Sequence, residues 1–154
     1  MKNNKKNREV LIYLIKKLMK RKSFFGKLQV MKLMFLIEHY DADSKTIRED
    51  SLLGNEYYIY YLGPFSFEVS KEFDRLKEED LKEEVKLDED LKKKVDFVID
   101  NFGMNDGRTL QKFCLNLLNI SVEEKGKYMG FKIKEVLEIK RNQQVQSYLN
   151  SSKI

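Results

Sequence analysis

Four residue types are nearly missing from this 154-residue chain: it has no tryptophan, one cysteine, one proline and one histidine. A lone Cys114 cannot close an internal disulfide, whereas small secreted domains usually carry several. One histidine and one cysteine do not make a zinc ligand set. A Ser-His-Asp or Cys-His arrangement would have to use His39, and nothing in the sequence brings Cys114 to it. Cys114 falls on an apolar helical stripe, where a thiol serves as a small hydrophobe, and His39 reads as a structural residue near a helix C-terminus. Long apolar runs are absent too. Val10–Met19 is interrupted by Lys16 and Lys17, is too short to span a bilayer, and has no signal-peptide cleavage site. These absences predict a soluble, cytoplasmic protein with no membrane partner.

Catalytic and cofactor signatures are also lacking. Gly126 and Gly130 fit neither phosphate-cradling motif. Asp41-Ala-Asp43-Ser opens like a calcium loop, but Lys45, Thr46 and Leu52 stand where an oxygen ligand, glycine and glutamate are needed. The carboxylate runs 78–80, 83–84 and 88–90 read as solvated helix ends and loops rather than contrasting acid–base pairs. We therefore expect no enzyme, no metal site and no cofactor.

Charge and apolar patterning dominate what is present. The net charge of +5 hides a strong asymmetry: residues 1–37 carry 11 Lys/Arg against one acid, and residues 38–100 carry 10 against 19. The basic third could meet phosphates or an acidic protein, or dock on the acidic middle of its own chain. Arg8, Lys16, Lys17, Lys20, Arg21, Lys22 and Lys27 are the basic-patch candidates for a nucleic-acid-binding regulator. Against that role, the helix that follows them is too apolar to lie in a groove.

Hydrophobic periodicity gives a mainly α fold, a compact bundle of about six helices with a small antiparallel β element near residues 56–62 and 81–87. We read residues 1–7 as a flexible basic arm, 8–141 as a single helical domain and 142–154 as a polar C-terminal tail. Val10, Leu11, Leu14, Ile15, Leu18 and Met19 make one face of the first helix. The second, about Lys27 to Tyr40, is apolar all round and so belongs at the centre. Ser66 and Asp106 are predicted caps, Gly103 a C-cap, and Ser121 with Glu124 a capping box for the last helix.

The segment Tyr57–Tyr61 is the one rich in aromatic and β-branched residues, and Gly63-Pro64 is expected to end it. Strand alternation puts Tyr58 and Tyr60 on one face and Tyr57, Ile59 and Tyr61 on the other. One face can be core while the other is an interface, since tyrosine is enriched at binding hot spots. Tyr57, Tyr58, Tyr60, Tyr61, Pro64, Phe65 and Phe67 are the partner-binding candidates.

Two short motifs carry a family likeness: Met31-Lys32-Leu33-Met34-Phe35-Leu36, and Tyr60-Tyr61-Leu62-Gly63-Pro64-Phe65-Ser66-Phe67-Glu68-Val69. Together they resemble the Panacea-domain (SocA-like antitoxin) family over roughly residues 8–120, with Lys32, Leu33, Phe35, Gly63 and Pro64 as the structural motif positions. The chain departs from the usual pattern in two places: Leu28-Gln29 lie earlier than usual, and Leu62 directly precedes Gly63. The resemblance implies a helical domain with a small β element that acts by protein–protein contact, as a neutraliser of a toxin or as a proteolytic adaptor. It implies no catalytic residue and no cofactor.

Overall fold

In a computed structural model, residues 4–21 and 25–151 are described. Among the described residues the chain forms six α-helices and two short hairpins: α1 Asn4–Arg21, α2 Lys27–His39, β1 Tyr40–Asp41, β2 Thr46–Ile47, β3 Tyr58–Tyr60, β4 Gly63–Phe65, α3 Phe67–Arg75, α4 Glu89–Phe102, α5 Gly107–Leu117 and α6 Ile133–Ser151. Single turns of 3₁₀ helix stand at Glu78–Lys82 and Lys125–Tyr128. The fold is mainly α, as the periodicity implies.

Helix α2 is the axle of the molecule. Every residue from Gln29 to His39 is buried, and α1, α3, α4, α5 and β4 all pack against it. Its sequence has apolar side chains on every side, so no face gains by meeting water. The surrounding helices are amphipathic instead. Val10, Leu14 and Leu18 of α1, Val95, Val98 and Ile99 of α4, and Leu110 and Cys114 of α5 turn inward onto one core. Gln29 spans to the α4–α5 connection, where its amide donates to the carbonyls of Gly103 and Asn105, both at 2.8 Å.

The helix starts follow local chemistry. Ser66 Oγ accepts the Val69 amide hydrogen at 3.3 Å, and Asp106 accepts that of Thr109 at 2.8 Å. Each satisfies one of the orphan donors of a first helical turn. Ser121 and Glu124 form their reciprocal pair, but α6 begins nine residues after Glu124, at Ile133. The pair caps the preceding turns rather than the last helix. Gly103 closes α4 with its amide donating to Ile99, in a right-handed conformation.

Three expectations are corrected. Residues 81–87 form no strand: the segment is a 3₁₀ turn and irregular chain, held by Leu81, Val85 and Leu87 against the core. The partner of β3 is β4, in antiparallel register with Tyr58 opposite Phe65, Ile59 opposite Pro64 and Tyr60 opposite Gly63. Gly63-Pro64 therefore begins the return strand instead of ending the element, and Gly63 at φ +92° supplies the left-handed step that the turn after Tyr61-Leu62 needs. Pro64 is tolerated there because Ile59 spends its own hydrogen bonds on the other edge, donating to Phe131 at 2.9 Å and accepting from Gly130.

The ends differ as well. Of the expected arm, Asn4–Asn7 are the first turn of α1 and Asn7 is fully buried; residues 1–3 lie outside the described residues. Of the expected polar tail, residues 142–151 continue α6 as a fully exposed helix, and residues 152–154 are outside the description. The connection after α2 contains the hairpin β1–β2, which composition alone did not suggest. Among the described residues, no helix is long and apolar enough to cross a membrane.

Candidate protein-contact site

The β3–β4 hairpin answers which face of the aromatic segment is covered. Tyr57 and Ile59 are 1% and 0% exposed and belong to the core. Tyr58 and Tyr60 point the other way and are partly exposed, with Phe65 beside them. Tyr61, expected on the same face as Tyr57 and Ile59, sits in the turn instead and is 74% exposed, because the strand ends at Tyr60. Phe67, the first residue of α3, is 56% exposed.

These rings form one cluster. Tyr60 lies edge-on to Phe65 and Phe67, with centroids 6.0 and 5.7 Å apart, and Phe65 meets Phe67 at 5.2 Å. Tyr58 contacts Tyr60 at 6.1 Å and Phe67 at 5.9 Å. Lys125 stands over Tyr61 at 4.9 Å from the ring centre. The geometry is that of favourable aromatic pairs, yet the outer edge of the cluster faces solvent. Of the seven partner-binding candidates, the surface gathers Tyr58, Tyr60, Tyr61, Phe65 and Phe67. It removes Tyr57 and Pro64, which are buried.

Strand addition is not how this surface would bind. One edge of β3 is paired with β4, and the other is taken by the segment 130–133, where Ile133 also donates to Tyr57 O at 3.1 Å. Contact must come through side chains.

The basic candidates meet a different fate. Arg8 donates to both Glu83 oxygens, at 2.9 and 2.7 Å, and to Asp80 at 3.1 Å. That side-chain hydrogen bonding to Glu83, opposed in part by desolvation, raises the guanidinium pKa and holds the Glu83 carboxyl below its usual range. Lys16 donates to the Glu83 carbonyl at 2.8 Å, Arg21 pairs with Asp100 at 2.6 Å, and Lys27 pairs with Asp74 at 2.9 Å. Lys17 lies over Tyr13, 5.4 Å from its centre. Lys20 is exposed, and Lys22 is outside the described residues. Three of these seven, Arg8, Arg21 and Lys27, thus spend their charge on the chain's own acidic middle, which reduces a phosphate-binding footprint.

The motif positions explain one another. Lys32 is 1% exposed, and its ammonium donates to Pro64 O at 2.7 Å. The backbone of Gly63 lies against the same amine: a Cβ added there would stand 3.7 Å from Lys32 Nζ and 3.3 Å from Gln111 Cγ. Leu33 and Phe35 are fully buried beside it on α2. Lysine and Gly-Pro, far apart in sequence, are two halves of one clamp between α2 and the hairpin.

Burial pushes the Lys32 amine down to about 8, against 10.5 for an exposed lysine. Between those values the unfolded chain binds the extra proton, so the Lys32 contribution to stability rises with pH from about 8 to 10.5. Below 8 the cost of burying the cation is fully present. Cys114, pushed up to about 12 by burial, acts in the opposite sense above pH 9, so a comparison isolates the lysine. Relative to the parent, Lys32→Met is expected to be more favourable at pH 7 than at pH 10, by roughly 3 kcal/mol at most. Urea unfolding of both proteins at the two pH values measures it, and parallel profiles would contradict the burial of a charged amine.

A second polar group in the core was not singled out from sequence. Glu38, 3% exposed, accepts from Ser51 Oγ at 2.6 Å, from the Asn55 amide nitrogen at 3.3 Å and side chain at 2.9 Å, and from the Tyr57 hydroxyl. Asn55 exchanges two further hydrogen bonds with Asn7, at 2.7 and 3.0 Å. Burial raises the Glu38 pKa although all those hydrogen bonds pull it down. One charged residue within the otherwise apolar face of α2 was the available signal. His39 is buried beside it, stacks near Phe35 and Tyr57, and directs Nδ1 to Arg48 O at 2.8 Å, which fixes the hydrogen on Nδ1. Among the described residues no buried side-chain polar atom lacks a partner, so this network reads as a structural joint.

No protein-family model, curated protein sequence or solved structure matches the chain.

Proposed function

We propose that this chain is a protein-binding module of the antitoxin kind, neutralising a toxin or presenting it to a protease by direct contact through the aromatic cluster. The observation that carries the reading is the exposed cluster itself: the rings of Tyr58, Tyr60, Phe65 and Phe67 touch with their outer edges in water, and the exposed Tyr61 follows in the turn. Large aromatics supply contact area at low entropic cost and are enriched among binding hot spots. The toxin as partner rests on the Panacea-domain resemblance, whose motif residues Lys32 and Pro64 touch through a hydrogen bond of 2.7 Å. The reading assigns no catalytic step and no cofactor, and it places the protein in the cytoplasm.

Two experiments test it. The product of an adjacent small gene is expected to be toxic alone and tolerated when this chain is co-expressed; unchanged toxicity with no purified complex would defeat the reading. Random duplex DNA is expected to show no measurable binding at low salt, because Arg8, Arg21 and Lys27 are already ion-paired within the chain. Tight binding that falls steeply with added salt would favour a nucleic-acid-binding regulator instead.

A further inference from the structure

Beside the aromatic cluster, a pocket of about 330 Å³ opens between α2 and the β3–β4 turn. Met31, Tyr60, Leu62 and Phe65 form its apolar walls, and Lys27 and Lys32 also line it. No carboxylate is among the lining residues. Lys27 is ion-paired with Asp74. Lys32 is different: an ammonium has three hydrogens to donate, and its one hydrogen-bond acceptor among the described residues is Pro64 O. A buried cation without a counter-charge is costly, and an apolar pocket with such a lysine in its lining complements an apolar anion.

We propose that this pocket receives the carboxyl-terminal residue of a partner polypeptide, its large apolar side chain against Met31, Tyr60 and Phe65 and its α-carboxylate hydrogen-bonded to Lys32. The inference rests on the protein-contact reading and names the part of the partner that is held. Size argues for a single residue, since this volume is at the lower end of small-ligand pockets. Alternation argues for a terminus. Neighbouring side chains of an extended peptide point to opposite faces, so an internal apolar residue and an adjacent Asp or Glu cannot both enter. A chain end carries the carboxylate on the same residue as the apolar side chain. Lowering of the Lys32 pKa to about 8 still leaves the amine protonated at neutral pH, and a bound carboxylate restores the missing counter-charge.

The test uses the full chain and a fluorescent hexapeptide ending in phenylalanine, as the free acid and as the C-terminal amide, read by anisotropy. The free acid is expected to bind at least about 10-fold more tightly than the amide, the size expected for hydrogen bonds to a charged group. Lys32→Met should remove that preference. Leu62→Glu, at a 48% exposed rim position that cannot unfold the core, should weaken the acid several-fold. Equal binding of acid and amide, or no binding of the acid at about 1 mM, overturns the proposal. So does competition by 3-phenylpropanoate as strong as that of the peptide, which would make this a site for small acids. If a toxin complex forms and depends on the aromatic cluster while the acid peptide fails, this inference falls and the protein-contact reading stands.

Discussion

Glu38→Ala is expected to destabilise the chain by roughly 3–5 kcal/mol, the cost of leaving several buried donors without an acceptor. The alanine would leave the Tyr57 hydroxyl, the Ser51 hydroxyl and both Asn55 donors without their acceptor inside the protein. Each buried orphan costs about 1–3 kcal/mol, so the loss does not depend on one contact. It should appear as a fall in Tm of about 10 °C for a chain of this length, followed by circular dichroism. Glu38→Gln keeps one acceptor oxygen and is expected to cost roughly 1–2 kcal/mol. The consequence reaches beyond the site, because this joint is where α1, α2 and the segment leading into β3 are locked together through Asn7, Glu38 and Asn55. An alanine variant as stable as the parent would mean that the network contributes nothing to holding the hairpin.

The second large effect concerns binding. Phe67→Asp is expected to weaken the proposed toxin complex by about 100-fold, the scale of a central hot-spot residue, while leaving the free chain nearly as stable. Stability is spared for a local reason. Phe67 is 56% exposed and is the first residue of α3 after the Ser66 cap, a position where a carboxylate interacts favourably with the helix N-terminus. The introduced charge is harmless to the fold and harmful in a desolvated interface. Tyr60→Ala should also weaken the complex, with a larger cost in stability, because Tyr60 is half-buried within β3 whereas Phe67 is mostly exposed.

Sequence patterning reaches as far as local physics does. The central place of α2 follows from apolar residues around its whole circumference. The Ser66 and Asp106 caps follow from side chains that can reach an amide three residues ahead. Alternation separates Tyr58 and Tyr60 from Tyr57 and Ile59, but it cannot say which pair is inside. That choice is made by tertiary packing on α2, whose Phe35, His39 and Glu38 meet Tyr57. The hairpin partner was misplaced for a related reason. Proline usually ends a strand, and the exception here depends on Ile59 directing its hydrogen bonds to Phe131 and Gly130. Leu81, Val85 and Leu87 look like one face of a strand, yet they anchor an irregular stretch whose acids serve Arg8. The Glu38 joint was invisible because its partners lie up to 48 residues apart.

The charge asymmetry illustrates the same limit. A basic third and an acidic middle are plain in the sequence, and both an external and an internal partner fit them. The pairs of Arg8, Arg21 and Lys27 with Glu83, Asp100 and Asp74 spend part of that basic charge internally. What the charges do not cover is the aromatic cluster.

The most direct test is therefore the dissociation constant for the proposed toxin partner, measured for the parent chain, Phe67→Asp and Lys20→Ala in parallel. The account predicts a stable complex for the parent, a loss of about 100-fold for Phe67→Asp, and little change for Lys20→Ala. Full affinity in Phe67→Asp, or a loss confined to Lys20→Ala, would contradict it.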